Sequence, residues 1–483
     1  MGILWENLGK ALQSNKDSLI EEYGGLSGTY LDLYNEIEDM ARRMSSCKLA
    51  GLKCAVLCDK SRETLKMLLF CWKMDMIAIP ISFHYGEDNI CGIVESTKPD
   101  FILSDRDEIG FVEIPVVRWE DLPLKVLNGE KDDQLECIEV LMCTSGTTGK
   151  PKASMLTGSA LIMNAHKILD YFPLSMSDRI LIGRPLYHCA VLIGEVIVAL
   201  LQGTNIVFYS EKFNPIMISK ILNKREISVM CGTPTLLKTI ADYFLHLKKA
   251  CSLKTIALSG ELLLSEYIQT MKKAFIEAKI FNVYGLTEAG PRVSYLDSRL
   301  IEKKAGSVGK ALKNVDIKII GDSGENKPFE VGRVFVNTPT VMKGYYNNAI
   351  ETEKKIKGLW LETGDLGYLD NEGYLYISGR SDDMIIKSGI NVYPQEIENK
   401  FLELPEVEDV MVYGELVNDI EQICADVVVD NKYKQCDSQN IMNHISDILP
   451  SHLIPYRVRV VEQLPRNGSG KKIRPRIKRD IRI

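Results

Sequence analysis

The chain has 483 residues, 45% hydrophobic and 26% charged, with 59 Lys and Arg against 65 Asp and Glu for a formal charge of −6. A single hydrophobic core rarely serves more than roughly 250–300 residues, so at least two domains are expected, and the ordinary composition excludes a disordered or fibrous chain. The near-neutral balance offers no general attraction to nucleic acid or an anionic membrane, so any anion must be bound locally.

The N-terminal stretch MGILWENLGKALQ lacks the basic region, apolar core and cleavage site of a secretory signal. Met-Gly is a feature of myristoylated chains, but Glu6 and Asn7 stand where a Ser or Thr is wanted. The twelve cysteines are scattered without a C-x-x-C pair and read as small buried hydrophobes in a reducing compartment. The apolar stretch AVLIGEVIVALLQG is interrupted by Glu195 and is too short to span a bilayer. A cytoplasmic protein is expected.

From about residue 50 to 285, short β-branched runs alternate with helical patterns such as SRETLKMLLFCWKM. The runs CAVLC, MIAIPI, DFILSD, RILIG, NIVFY, ISVMC, TIALS and KIFNV predict βαβ units and a mostly parallel, helix-covered sheet. Ligands on such sheets sit at the carboxyl ends of strands. Thr233 and Pro234 are placed to cap and open a helix. After about 305 the texture changes to short strands with Gly, Asp and Asn turns, which predicts an antiparallel, barrel-like subdomain. From 380 a compact α+β segment carries VEDVMVYGE, QICADVVVD and RVRVVEQL and ends in the basic tail KKIRPRIKRDIRI.

The stretch LMCTSGTTGKPKA delivers Thr144, Ser145, Gly146, Thr147, Thr148, Gly149 and Lys150 from a strand end. Glycines let backbone N–H groups approach phosphate oxygens, hydroxyls donate further bonds and lysine supplies charge, which together make an anion cradle. The spacing is not that of a Walker A loop, and Pro151 follows Lys150 directly. A different kind of ATP user is implied.

TSGTTGKPK resembles the phosphate-binding signature of the adenylate-forming superfamily, which includes acyl- and aryl-CoA ligases, peptide-synthetase adenylation domains and firefly-type luciferases. Further motifs follow in the family's order over nearly the whole chain. NVYGLTEAG resembles the adenine and metal motif, which implies Tyr284 stacked on adenine, Asn282 near its edge, Thr287 on the α-phosphate and Glu288 on Mg²⁺. WLETGDLGYLD resembles the ribose motif and places Asp365 on the ribose hydroxyls. In GRSDDMIIKSGINVYPQEIE the resemblance implies Arg380 on ribose or phosphate, Asp382 as a hinge, and Lys387, Ser388 and Gly389 beside the tunnel for the thiol. LPRNGSGKKIR resembles the terminal motif with its catalytic lysine, here Lys471; Asn467 stands where many members carry Thr. A lysine there offsets negative charge as carboxylate and α-phosphate are brought together.

Members that activate amino acids commonly carry an aspartate early in the pocket, whereas GRPLYHCAVLIGE has Tyr187-His188, which resembles the aromatic gate of acyl- and aryl-CoA ligases. By position relative to the family, the nucleotide and acid pocket includes Gly232, Thr233, Pro234, Ser259, Gly260, Glu261, Gly285 and Leu286, and Cys189, Ala190, Val191 and Cys231 give it an apolar lining. The expected fold is α/β: a large N-terminal domain, residues 1–380, of parallel helix-covered sheets plus a barrel-like subdomain, and a small mobile α+β C-terminal domain, residues 381–483, hinged at Asp382. The expected reaction converts a fatty or aryl acid with Mg·ATP to acyl-AMP and then transfers the acyl group to CoA. The alternative acceptor is the phosphopantetheine of a separate carrier protein. A luciferase-like oxygenase and a catalytically silent nucleotide-binding protein are the readings from other classes.

Overall fold

The structure, a computed structural model, describes residues 2–82, 85–122, 132–144, 151–321, 324–387, 390–417, 420–466 and 472–475. It divides into a larger compact unit, residues 1–318, 335–363 and 372–376, and a smaller one, residues 319–334, 364–371 and 377–483. The larger unit opens with the helix Ile3–Ser14 and the short antiparallel pair β1 (Leu19–Glu22) and β2 (Ser27–Thr29).

A first sheet follows from β3 (Lys53–Leu57), β4 (Ile77–Pro80), β5 (Phe101–Ser104), β6 (Val116–Arg118), β7 (Ile138–Thr144) and β8 (Lys152–Thr157), ordered β6-β5-β3-β4-β7-β8. All its pairings are parallel except β7 with β8. A second sheet takes β9 (Arg179–Ile182), β10 (Asn205–Phe208), β11 (Val229–Gly232), β12 (Thr255–Leu258) and β13 (Lys279–Tyr284) in the parallel order β10-β9-β11-β12-β13. β1 extends it beyond β10. At the other edge β14 (Ser294–Leu296) and β15 (Ser307–Ala311) continue it antiparallel, and β15 meets Leu375 and Tyr376. The change to antiparallel texture falls close to where the sequence predicts it.

Every residue of β4, β5, β11 and β12 is buried, which is why these runs read as continuous hydrophobics rather than alternating ones. Helices Pro215–Lys224, Pro234–Leu247 and Ser265–Ala274 pack on the second sheet through a core that includes Leu222, Leu237, Phe244, Met271 and Ile256. Pro234 occupies the first helical position, and Leu236 N–H donates to the Thr233 hydroxyl at 3.3 Å. No described helix is long and apolar enough to cross a membrane.

The hairpin of β7 and β8 pairs Thr144 with Lys152 across the intervening loop. Residues 343–346 lie along β8: Lys343 N–H donates to Met155 O at 2.9 Å, Met155 N–H to Gly344 O at 2.9 Å, and Tyr346 N–H to Ala153 O at 2.8 Å. The half-buried Glu351 ion-pairs with Lys152 and, at 2.8 Å, with Lys354.

In the smaller unit, strand Val407–Val417 is antiparallel to Ile420–Val429, which runs parallel to Arg457–Val460. Helices Pro394–Phe401 and Ser438–Ile448 contribute Ile397, Phe401, Ile441 and Ile445 to a core shared with Val410, Val412 and Ile423. These are the three strands read from the sequence. Ile385–Lys387 forms a separate antiparallel pair with Ile390–Val392.

Lys152 and Lys354 hold the Glu351 carboxyl at about 2, below its ordinary 4.5. A depressed carboxylate stabilises the fold above the unfolded-state value, and that contribution disappears as pH falls through the folded one. We predict that Glu351→Gln costs about 1–2 kcal/mol at pH 7, discounted for its partial exposure. In denaturant titrations the gap from wild type should close between pH 4.5 and about 2; a gap independent of pH sinks the assignment.

Candidate active site

The adenine and metal motif is the end of β13 and the turn after it. Asn282 is buried, and its side-chain amide donates to Ser307 O at 2.8 Å, tying the motif strand to β15. Tyr284 pairs with Ser294 across the antiparallel edge, and its carbonyl accepts from Val293 N–H at 2.7 Å. Gly285 is required by a close approach: a Cβ there would lie 2.3 Å from Pro291 O and 2.8 Å from Arg292 N.

Thr287 and Glu288 lie on the 3₁₀ turn Thr287–Ala289. That turn is fastened to the segment beside β8. Met342 N–H donates to Glu288 O at 2.8 Å, the Thr340 hydroxyl donates to Ala289 O at 2.7 Å, and the Tyr345 phenol donates to Glu288 Oε1 at 2.7 Å. Tyr345 also faces Lys152, whose ammonium lies 5.6 Å from the ring centroid. Lys152, Tyr345 and Glu288 thus form a connected path from the β7–β8 hairpin to the motif carboxylate. Sequence reasoning singled out Glu288 but missed Tyr345, because a tyrosine 57 positions away carries no spacing signal.

Gly260 and Glu261 follow β12, whose Leu258 pairs with Asn282 of β13. Gly260 has φ +89°, a left-handed conformation that glycine adopts without strain. Glu261 Oε2 accepts from Thr235 N–H at 3.2 Å, in the first turn of helix Pro234–Leu247, where a carboxylate complements the helix dipole.

His188 lies beyond the end of β9. Its carbonyl accepts from Val191 and Leu192 N–H groups at 2.9 Å, so it forms the cap of a helical run from Cys189 to Gln202 whose middle, Leu192–Ile197, is a π turn. The His188 ring lies 4.1 Å from that of Tyr187, which in turn lies 4.8 Å from Tyr85. Cys189 and Cys231 are buried, as an apolar lining requires, and burial pushes each thiol up to about 12. The same helical run also carries a buried charge: Glu195 ion-pairs with Arg184 at 2.5 Å. Its only sequence signal is that it interrupts a long apolar run.

In the larger unit, the structure therefore gathers the predicted residues of β12 and β13 at the carboxyl ends of neighbouring strands of one sheet, with His188 just beyond β9 of the same sheet. Thr144 ends β7 in the first sheet. Ser145, Gly146, Thr147, Thr148, Gly149 and Lys150 lie outside the described residues, as do Ser388, Gly389 and Lys471. A surface groove of about 690 Å³ lined by Asn314, Asn337, Pro339, Ile356 and Trp360 contains none of the motif residues.

In the smaller unit, Asp365 is buried, and Arg380 Nη1 donates to its Oδ1 at 2.8 Å. Asp382 lies on the 3₁₀ turn Ser381–Asp383, where the Ser381 hydroxyl donates to Gly364 O at 3.0 Å. Lys387 donates to the carbonyls of His452 and Ile454 at 3.1 and 3.2 Å, and burial lowers its pKa. The basic tail is more than solvated surface. Arg466 and Lys472 both ion-pair with Asp409, at 2.5 and 2.6 Å, and bridge each other across the Lys471 loop. Arg474 places two bonds of 2.6 and 2.7 Å on Glu398.

The donor set fits Mg·ATP chemistry. Among the described residues no group of three or more His, Cys, Asp or Glu side chains could hold a metal. A cation at Glu288 would therefore take most of its ligands from phosphate and water, which is the habit of Mg²⁺.

We predict that Gly285→Ala costs about 2 kcal/mol, because its Cβ meets backbone rather than a yielding side chain. Thermal melts and an adenylate-formation assay check this; unchanged stability together with unchanged activity would refute the tight turn.

A model of the AMP-binding enzyme family matches residues 10–346, and one of the AMP-binding enzyme C-terminal domain matches 396–471. The chain is 28% identical to a feruloyl-CoA synthase of Amycolatopsis sp, covering 95% of this chain and 94% of that one. It is also 28% identical to an indoleacetate–CoA ligase of Aromatoleum aromaticum, covering 92% and 91%. The solved structure of Bacillus subtilis o-succinylbenzoate CoA synthetase (MenE) with ATP and magnesium ion superposes with a TM-score of 0.85 at 26% identity, covering 97% of this chain and 98% of that one. With residues 10–346 matched by one family model and the ordered motifs carried on the fold those motifs imply, the chain belongs to the AMP-binding enzyme family, the adenylate-forming group.

Proposed function

We propose that the protein activates a non-amino carboxylic acid with ATP, giving acyl-AMP and pyrophosphate, and transfers the acyl group to CoA, giving a thioester and AMP. The observation that carries this reading is the Thr287–Glu288 turn fixed by Tyr345 at the end of β13, beside the Gly260–Glu261 turn of β12. The CoA-ligase relatives that match nearly the whole chain support the acceptor, and the aromatic acids in their names favour an aryl acid. Tyr187 and His188, in place of an ammonium-binding aspartate, disfavour an α-amino acid.

In this mechanism Tyr284 stacks on adenine with Asn282 near its edge, Thr287 contacts the α-phosphate, and Asp365 with Arg380 holds the ribose. The hydroxyls, glycines and Lys150 of the 144–150 loop donate to the phosphates. Mg²⁺, when bound through Glu288, neutralises charge on the pyrophosphate leaving group. Lys471 offsets repulsion as the acid's carboxylate attacks the α-phosphate. The small domain, residues 381–483, then turns about Asp382 and brings Lys387, Ser388 and Gly389 to the thiol's path, while closure shields the anhydride from water. The twelve free cysteines support a cytoplasmic, reducing location.

The test is incubation with Mg·ATP, CoA and a panel of ferulate, indole-3-acetate, 2-succinylbenzoate, linear fatty acids and amino acids, with acyl-AMP and acyl-CoA quantified by mass spectrometry. Acyl-CoA should form fastest from an aryl acid. Acyl-AMP that accumulates while CoA is ignored would transfer the reading to a carrier-protein acceptor, and preferred turnover of an amino acid would overturn the substrate class. Lys471→Ala should lower adenylate formation by about 100-fold or more, whereas thioester formation from supplied acyl-AMP should largely survive. Equal loss of both steps contradicts the role of Lys471.

A further inference from the structure

Glu195 is 1% exposed and sits inside the π turn that follows His188. Its carboxylate pairs with Arg184, so the ion pair ties together the two ends of the segment that contains Tyr187 and His188. At the neighbouring position of the same turn, a Cβ at Gly194 would lie 2.9 Å from Arg292 Nη2. Arg292 is also buried, and its carbonyl accepts from Asn164 at 2.9 Å. It lies four residues after Glu288, between the Thr287–Ala289 turn and β14. A buried ion pair is a poor way to gain stability, because desolvation offsets its attraction. A π turn adds one residue to a helix and re-aims what precedes it, a device frequent at functional sites.

Resting on the assignment of His188 as the gate of the acid pocket, we propose that half-buried Arg184 and buried Glu195 and Arg292 form a charge clamp that positions the Tyr187–His188 gate against the adenylation turn. The three are positioning residues: Glu195 acts through the helix that His188 caps and needs no contact with substrate. Burial raises the Glu195 pKa and Arg184 opposes that shift, followed by Arg292, so both arginines lie within electrostatic reach of the carboxylate.

The experiment is a double-mutant cycle of Glu195→Gln and His188→Ala. It is read as kcat and KM for the aryl acid turned over fastest in the panel above, with KM for ATP and the melting temperature measured in parallel. Glu195→Gln should lower kcat/KM for the acid by ~10-fold and leave KM for ATP within about 2-fold, and in the His188→Ala background its effect should shrink to about 2-fold or less. An undiminished effect in that background, or an equal rise in KM for ATP, would reduce the cluster to general structural support and overturn the clamp. If His188→Ala impairs acid use and Glu195→Gln does not, the clamp alone falls. If His188→Ala leaves acid kcat/KM unchanged while acyl-CoA is made, the gate assignment falls first. Should Glu195→Gln fail to fold, Arg184→Lys keeps the charge but loses the guanidinium N–H that reaches Glu195, and is expected to show the same dependence on His188.

Discussion

The hydrogen bond from the Tyr345 phenol to Glu288 is the contact on which the rest of the larger unit's site depends. A donor on a carboxylate is among the stronger kinds of hydrogen bond, worth about 1.5–3 kcal/mol, and it fixes the direction of the oxygen that remains for a cation. Tyr345 keeps its place because residues 343–346 lie along β8, and β8 is the second arm of the hairpin that carries the phosphate-loop sequence. The same segment fastens the backbone of Glu288 and Ala289 through Met342 and Thr340. Two segments far apart in sequence are thereby held in one register, and a shift of either would move the proposed metal carboxylate.

The parallel sheets were legible from the sequence because their strands are buried on both faces: TIAL and FILS are continuous apolar runs, and both are wholly buried. The three strands that carry Val412, Ile423 and Val458 were also read, as part of a compact α+β segment, but the helices Pro394–Phe401 and Ser438–Ile448 that pack on them were not individually named. The motif residues could be named because TSGTTGKPK, NVYGLTEAG, WLETGDLGYLD and LPRNGSGKKIR resemble the motifs of the adenylate-forming group in order, a resemblance with which phosphate and cation chemistry agrees. What holds those residues was not legible. Tyr345 on Glu288, Asn164 on Arg292 and Asp409 between Arg466 and Lys472 are pairings across long stretches of chain, and single residues of ordinary type announce no partner. Gly285 was named for the pocket, yet its structural requirement is the backbone of Pro291, which only the folded turn brings near.

Charge is used differently in the two units. In the larger unit the buried carboxylate of Glu195 is set against Arg184, while the ammonium of buried Lys167 has no hydrogen-bond partner among the described residues. In the smaller unit basic residues at the end of the chain are drawn onto Asp409, Glu398 and Asp383, so the residues on both sides of the Lys471 loop are anchored to strand Val407–Val417 and helix Pro394–Phe401.

The most direct measurement of the central claim is calorimetric titration of Mg·ATP, and of ATP with EDTA, into wild type and Tyr345→Phe. If the phenol orients the metal carboxylate, Tyr345→Phe weakens Mg·ATP binding by ~10-fold, as expected for a lost bond to a charged group, while metal-free ATP binds both proteins alike. Equal Mg·ATP affinity for the two proteins would contradict it.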